Sequence, residues 1–483
     1  MAEAPAIHWF RQDLRLRDNP ALNAAVATGR PVLPLYILDD ETPGHWRMGG
    51  ASRWWLHHSL MSLAVDIKKL GAQLILRRGR TDTIIAELVR ETGAVSVHWN
   101  RCYEPHAIAR DTAIKKSLTE SSIIAESYNG ALLTEPWTVR TKQDSPFKVF
   151  TPYWNTIRER RPERPILAPE SLRGASAKSD PLEDWDLPPR KPDWAGGLRA
   201  AWQPGEHGAI AQLTRFAKTA LKTYDTDRNR PDLPQTSRMS PYLHWGELSP
   251  RQVWHGIAAG AQSQGLSIHD GPAGAYLREL GWREFTHHLL YHWPSLPEQP
   301  WREEFGRFPW REDEPGLKAW QRGRTGYPIV DAGMRELWQT GWMHNRVRMI
   351  AASFLIKDLL IPWQRGEEWF WETLVDADLA QNAASWQWVA GSGADAAPYF
   401  RIFNPVLQGE KFDPEGVYVR RWVPEIARLP DAFIHKPWLA PPDALQAAGT
   451  ELGRDYPAPI VDHGIARERA LAALKSMKEA ERT

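Results

Sequence analysis

The chain has 483 residues, 42% hydrophobic and 25% charged, and its 60 basic and 59 acidic side chains leave a net charge of +1. This length suits two or three domains, the composition is globular, no run of about 18 apolar residues predicts a membrane helix, and the near-neutral balance argues against nucleic-acid binding by bulk charge while allowing a local basic face. Cys102 is the only cysteine, which excludes an intrachain disulfide and a cysteine-bound cluster; with neither a basic nor an apolar leader in residues 1–6, a cytoplasmic chain is expected.

Along residues 1–130, short apolar runs at 6–10, 31–38, 73–76, 94–99 and 123–127 alternate with helical periodicity at 52–70 and 82–91. Such alternation predicts an α/β domain with a doubly wound parallel sheet. No G-x-G-x-x-G follows the first run, so no dinucleotide fingerprint is present. Residues 131–204 are proline-rich and aperiodic and read as a long surface connector. From 205 to 483 apolar residues recur at i, i+3 and i+4, which predicts an all-α C-terminal domain.

The chain carries 26 tryptophans. Most are expected to fill helix interfaces; position must decide which serve a stacked cofactor, stacked bases or electron transfer. Charged residues 11–18 leave the carboxyl end of the first predicted strand, where ligand crevices form, although an ion-paired loop would look the same. Thr236-Ser237-Arg238-Met239-Ser240 combines hydroxyls and an arginine ahead of a helical stretch, which suits a phosphate and equally suits N-capping. Tyr224 and Arg228 lie just upstream. Glu279, Trp282 and Arg283 share a helix face, a carboxylate beside an indole being better suited to a ligand cavity than to a core. Asn345 and Met349 pair an amide with a thioether. In the 376–388 segment Asn382 and Trp386 share a face, while Trp386 and Trp388, two positions apart, point about 200° away from each other.

Together these segments resemble the photolyase/cryptochrome family, and most closely its bacterial cyclobutane pyrimidine dimer photolyases. The resemblance covers essentially the whole chain. It is carried by Trp9-Phe10-Arg11-Gln12-Asp13-Leu14-Arg15, the 236–243 segment, Trp282-Arg283-Glu284-Phe285, the 325–335 and 341–346 segments and the 396–405 segment.

The resemblance implies a C-terminal helical FAD-binding domain. Tyr224, Thr236, Ser237, Arg238, Met239 and Ser240 would hold the phosphates and ribityl chain, Arg283, Asp376 and Asp378 the rest, and Asn382 would face flavin N5. Glu279, Trp282, Asn345, Met349 and Trp388 would line the cavity for the dimer, with Arg228, Arg346 and Arg401 near the phosphates of UV-damaged DNA. Trp386, Trp363 and Trp310 would form the electron chain to the flavin, Trp310 being the loosest match. Reduced anionic FAD, excited by blue light, would pass an electron to the dimer and recover it once the cyclobutane bonds break. No metal is implied, and a monomer acting at the nucleoid is expected.

The family's α/β domain usually holds a second, antenna chromophore. Here Trp46 would stack a pterin and Glu41 accept from its amino group, with His45 between them, as in family members that bind methenyltetrahydrofolate. A deazaflavin, or no antenna, is the alternative. Two other functions are weighed against repair of cyclobutane dimers: a cryptochrome-type photoreceptor, which often carries a long low-complexity extension and, in plants, a carboxylate at the position of Asn382; and a (6-4) photolyase, which uses cavity histidines that the 345–349 segment lacks.

Overall fold

A computed structural model describes residues 3–396 and 400–480. Met1 and Ala2 of the leader stretch, and 397–399 of the 396–405 segment, lie outside the described residues. Five parallel strands, β1 (Ala6–Phe10), β2 (Val32–Leu38), β3 (Ile75–Arg78), β4 (Ser96–Asn100) and β5 (Ile124–Tyr128), form one sheet in the order β3-β2-β1-β4-β5. Helices α1 (Pro20–Ala27), α2 (Gly50–Lys69), α3 (Thr81–Thr92) and α4 (Pro105–Glu120) connect them. Every residue of β1, β2 and β4 is buried, as expected of strands covered on both faces. In register, Ile7 lies between Leu33 and Val97, and all three belong to one apolar cluster.

The strand order reverses between β1 and β4, the place where open α/β sheets form a ligand crevice. Here that end is tied off by protein. The Arg11 guanidinium pairs with Asp111 at 2.5 Å, donates to the Asn100 carbonyl and lies 4.4 Å over Trp9. Asn100 Nδ2 donates to Asp13 at 2.6 Å and to Asn19 at 2.7 Å. Arg15, fully buried, donates to the Asp18, Gly130 and Gly246 carbonyls. Residues 11–18 thus form an ion-paired and hydrogen-bonded loop at this end of the sheet.

By internal packing the chain divides into two compact units: Met1–Lys222 with Ser237–Pro294 and Val375–Asp378, and Thr223–Thr236 with Ser295–Leu374 and Leu379–Thr483. These are not the segments delimited at 130 and 204 by composition. Residues 131–204, read from the sequence as an aperiodic connector, include α5 (Phe150–Ile157), which buries Phe150, Tyr153, Trp154 and Ile157, a local i, i+3, i+4, i+7 face. Such a face, only two turns long, packs as a helix although the segment around it has no sustained period.

In the first unit the long helix Gly271–His292 carries Glu279, Trp282 and Arg283. The second unit is helical throughout its described residues apart from loops and one isolated bridge. Its helices include Asn345–Ser353, Trp363–Thr373 and Leu379–Ala390. A buried knot joins distant parts of this unit: Asp331 accepts from Thr325 N (2.7 Å), Gly326 N (3.0 Å) and Tyr456 OH (2.6 Å). Among the described residues no helix is long and apolar enough to cross a membrane.

Candidate cofactor and nucleic-acid site

In the first unit, Arg238 has φ +52° and is followed by Met239 at φ −90°, ψ −6°. A left-handed residue next to a right-handed one turns successive backbone N–H groups toward one concave point, the geometry that binds anions. Ser237 Oγ accepts from Met239 N at 3.4 Å, and the Arg238 guanidinium lies 4.2 Å over Trp202. The helix Ser240–His244 follows. Capping and phosphate binding are both available to this loop.

Asp378 is buried beside His287 (3.5 Å) and His244 (3.7 Å). Burial alone would raise its pKa, but His287, His244 and Arg283 overcome that and hold the carboxyl far below the usual range. Asp376 is buried in the same short segment, which Trp245 pins by donating from Nε1 to the Val375 carbonyl at 3.0 Å. Arg283 donates from Nη1 to the Ala131 carbonyl at 2.8 Å, while its buried Nε has no hydrogen-bond partner among the described residues. Burial pushes the neighbouring Glu284 carboxyl up to about 7, against Arg283 and the N–H groups of Thr134 and Leu133. Glu279 and Trp282 are both half-buried on this helix. An anion-binding loop, a fixed buried carboxylate and an unsatisfied guanidinium N–H fit a ligand with both phosphates and a polar ring system, as FAD has.

The antenna candidates are also in the first unit. Glu41 is exposed, His45 and Trp46 form a short turn, Gly44–Trp46, and their rings meet at 4.8 Å and 72°. Asp39 anchors the approach by accepting from the Glu41 and Thr42 N–H groups.

In the second unit, Asn382 and Trp386 are both buried on Leu379–Ala390, whereas Trp388 is half-buried. Asn382 Nδ2 donates to the Glu367 carbonyl at 3.0 Å. That bond fixes the amide between the two helices. Trp386 packs edge-on against Phe370 (5.0 Å) and Trp320 (6.2 Å). Trp363 is buried at the start of the neighbouring helix, and Trp310 is half-buried, 4.4 Å from Phe308.

Asn345 is exposed as the first residue of its helix, with Met349 half-buried one turn on. His344 precedes them and its side chain accepts from Arg346 N, capping the helix. Burial, with Arg346 and Arg348 close by, brings His344 down to about 3, so it is neutral. Arg346 donates to Asn229 Oδ1 at 2.8 Å and lies 4.4 Å over Phe412. Its pKa is lowered by burial and by the nearby Arg228 and Arg401 guanidiniums. Arg228 in turn lies 5.4 Å over the buried Tyr224 ring, and Thr236, half-buried, closes the same stretch. Like charges gathered in this way are stabilised by a polyanion.

Sequence reasoning did not identify His287 and His244 against Asp378, Phe370 and Trp320 against Trp386, or Phe150 against Trp282. His287 alone left a signal, standing four residues after Arg283 on one helix face; the others meet only through tertiary packing.

Residues 6–170 match the family described as DNA photolyase, and residues 276–476 match the FAD binding domain of DNA photolyase. The chain is 52% identical to the deoxyribodipyrimidine photo-lyase of Agrobacterium fabrum, over 99% of this chain and 98% of that one. It is 41% identical to cryptochrome-1 of Arabidopsis thaliana, over 99% of this chain and 71% of the relative. The crystal structure of a bacterial class III photolyase from Agrobacterium tumefaciens superposes with a TM-score of 0.95 at 52% identity, covering 99% of this chain and 98% of that one. Near-complete coverage at this identity, with both parts of the fold matched, leaves one assignment: the chain belongs to the photolyase/cryptochrome family.

Proposed function

We propose that this chain is a light-driven DNA repair enzyme, a deoxyribodipyrimidine photolyase that splits cyclobutane pyrimidine dimers into two pyrimidines. The observation that carries the reading is the Leu379–Ala390 helix, which buries Asn382 and Trp386 and leaves Trp388 partly exposed two residues on. One helix thereby offers an amide and a redox-active indole to a cofactor and a second indole to a substrate. The 52% identity to a relative named for this activity supports the same reading.

When bound, reduced FAD supplies the light-excited electron. The chain's residues bind and orient. Tyr224, Thr236, Ser237, Arg238, Met239 and Ser240 hold the phosphate and ribityl portions; Arg283, Asp376 and Asp378 hold polar ring and sugar groups; Asn382 Oδ1 accepts from the flavin. Trp386, Trp363 and Trp310 relay electrons from solvent. Glu279, Trp282, Asn345, Met349 and Trp388 receive the dimer, which must leave the base stack to be reached. Arg228, Arg346 and Arg401 contact phosphates.

The α/β sheet domain, residues 1–130, carries the antenna, and 205–483 the cofactor and DNA. Methenyltetrahydrofolate at Glu41, His45 and Trp46 is favoured over a deazaflavin because Trp46 offers an indole face on which a pterin can stack and the exposed Glu41 a carboxylate to accept from its amino group. The enzyme acts as a cytoplasmic, nucleoid-associated monomer without metal.

The test is repair. Purified protein with reduced flavin restores thymine-dimer DNA under blue light and not in the dark. The second reading, a cryptochrome-type photoreceptor, draws on the 41% identity to a plant cryptochrome; absence of light-dependent repair with fully reduced FAD decides for it.

A further inference from the structure

We propose that Phe150 is a positioning residue for Trp282, fixing the plane of the indole on which the pyrimidine dimer is received. The inference rests on the reading that Trp282 meets the substrate. Phe150 is fully buried at the start of α5, and its ring lies 3.7 Å from the Trp282 ring at an interplanar angle of 9°. Aromatic pairs ordinarily settle offset or edge-to-face, with centroids about 4.5–7 Å apart, because stacked faces repel through their quadrupoles. So close and parallel a stack needs compensation. Arg278, one turn before Trp282 on the same helix, lies 5.1 Å over the Phe150 ring, and the attraction of a cation to an aromatic ring helps to hold Phe150 in place.

The pair is also held at its edges. Phe285 stands edge-on to both rings, at 5.8 Å from Phe150 and 5.9 Å from Trp282. The helix is seated tightly on α5: a Cβ on Gly281 would lie 2.3 Å from the Trp154 ring. One face of the Trp282 indole is therefore covered by protein, and rotation of the ring is blocked. A flat surface locked before binding loses little side-chain freedom when a base stacks on it, so Phe150 contributes to dimer affinity without touching the dimer.

The experiment compares FAD-loaded wild type, Phe150→Leu and Phe150→Tyr, measuring Kd for a thymine-dimer oligonucleotide and for the same DNA undamaged. Phe150→Leu weakens dimer binding by about tenfold, within the range of a lost base–aromatic stack. Binding of undamaged DNA, flavin content and flavin photoreduction stay unchanged. Phe150→Tyr, which keeps the flat ring, restores dimer binding. An unchanged ratio of the two Kd values in Phe150→Leu overturns the proposal, as does equal loss on both DNAs or a tyrosine variant that behaves like leucine. Phe150→Met serves if the leucine variant does not fold. A wild type with no preference for dimer DNA, or a Trp282→Ala variant that keeps the preference, overturns the functional reading instead.

Discussion

Trp386 occupies the space in which a side chain on Gly366 would begin: a Cβ there would stand 2.1 Å from the indole Cη2 and 2.5 Å from Cζ3. The helices Trp363–Thr373 and Leu379–Ala390 approach through this contact, and the same approach lets Asn382 reach the Glu367 carbonyl. Gly366→Ala therefore has to displace an indole that also packs on Phe370 and Trp320. Overpacking of this kind costs about 1–3 kcal/mol. A lower midpoint in denaturant together with slower flavin photoreduction is expected; wild-type values of both contradict the packing argument.

The two indoles of Leu379–Ala390 are expected to separate by phenotype. Trp386→Phe abolishes photoreduction of oxidised FAD but leaves repair by chemically pre-reduced enzyme nearly intact, since the substrate's electron comes from the flavin. Trp388→Ala leaves photoreduction intact and weakens dimer binding by roughly 1–3 kcal/mol, the worth of a base stack. Transient absorption and a dimer-binding assay on the same preparations distinguish them, and a common phenotype refutes the two-face arrangement.

Burial, and after it the neighbouring Arg228 and Arg401 guanidiniums, lower the pKa of Arg346. Arg346→Ala lowers affinity for damaged and undamaged DNA alike and reduces the slope of log K against log salt by about 1. A slope equal to wild type would mean that Arg346 contacts no phosphate.

Glu247 gives a pH dependence with a definite sign. Its Oε1 accepts from Trp55 Nε1 (3.1 Å) and Gly205 N (2.7 Å), and burial pushes its pKa up from 4.5 to about 8. A raised folded pKa means that the unfolded chain gives up this proton first. The contribution to stability is complete below about pH 4.5 and is lost as pH rises toward about 8, at no more than about 1.4 kcal/mol per pH unit. Glu247→Gln keeps the acceptor and removes the titration. Chemical denaturation from pH 5 to 8 should show a shallower fall for the variant, and parallel curves exclude Glu247 as the source.

For the antenna, Trp46→Ala is expected to remove a near-ultraviolet absorption band while FAD stays bound. Solvent extraction that yields a deazaflavin and no folate rejects the pterin site at Glu41 and Trp46.

Much of the fold was legible in local pattern. The five apolar runs at 6–10, 31–38, 73–76, 94–99 and 123–127 correspond to β1–β5 with ends shifted by at most a few residues; for β1, β2 and β4 burial on both faces leaves an uninterrupted apolar run, whereas the edge strands β3 and β5 are partly exposed. The helical face shared by Asn382 and Trp386 follows from 3.6 residues per turn and needs no tertiary information. The 131–204 segment was less legible, since α5 is a two-turn stripe, Phe150, Tyr153, Trp154 and Ile157 at i, i+3, i+4 and i+7, too short to stand out in a long proline-rich stretch.

The sequence by itself determined which chemical groups are available and which of them share a helix face, because those are set by residue type and backbone period. Only the tertiary structure decided that Arg11 and Asp111, a hundred positions apart, tie off the switch-point end of the sheet; that His244 and His287 flank Asp378; and that Phe150 backs Trp282. Each of these depends on side chains meeting across separate elements. The physical reason is range: backbone period acts over a few residues, whereas charge pairing, ring stacking and the volume denied at Gly366 act between surfaces that become neighbours only when the chain has folded.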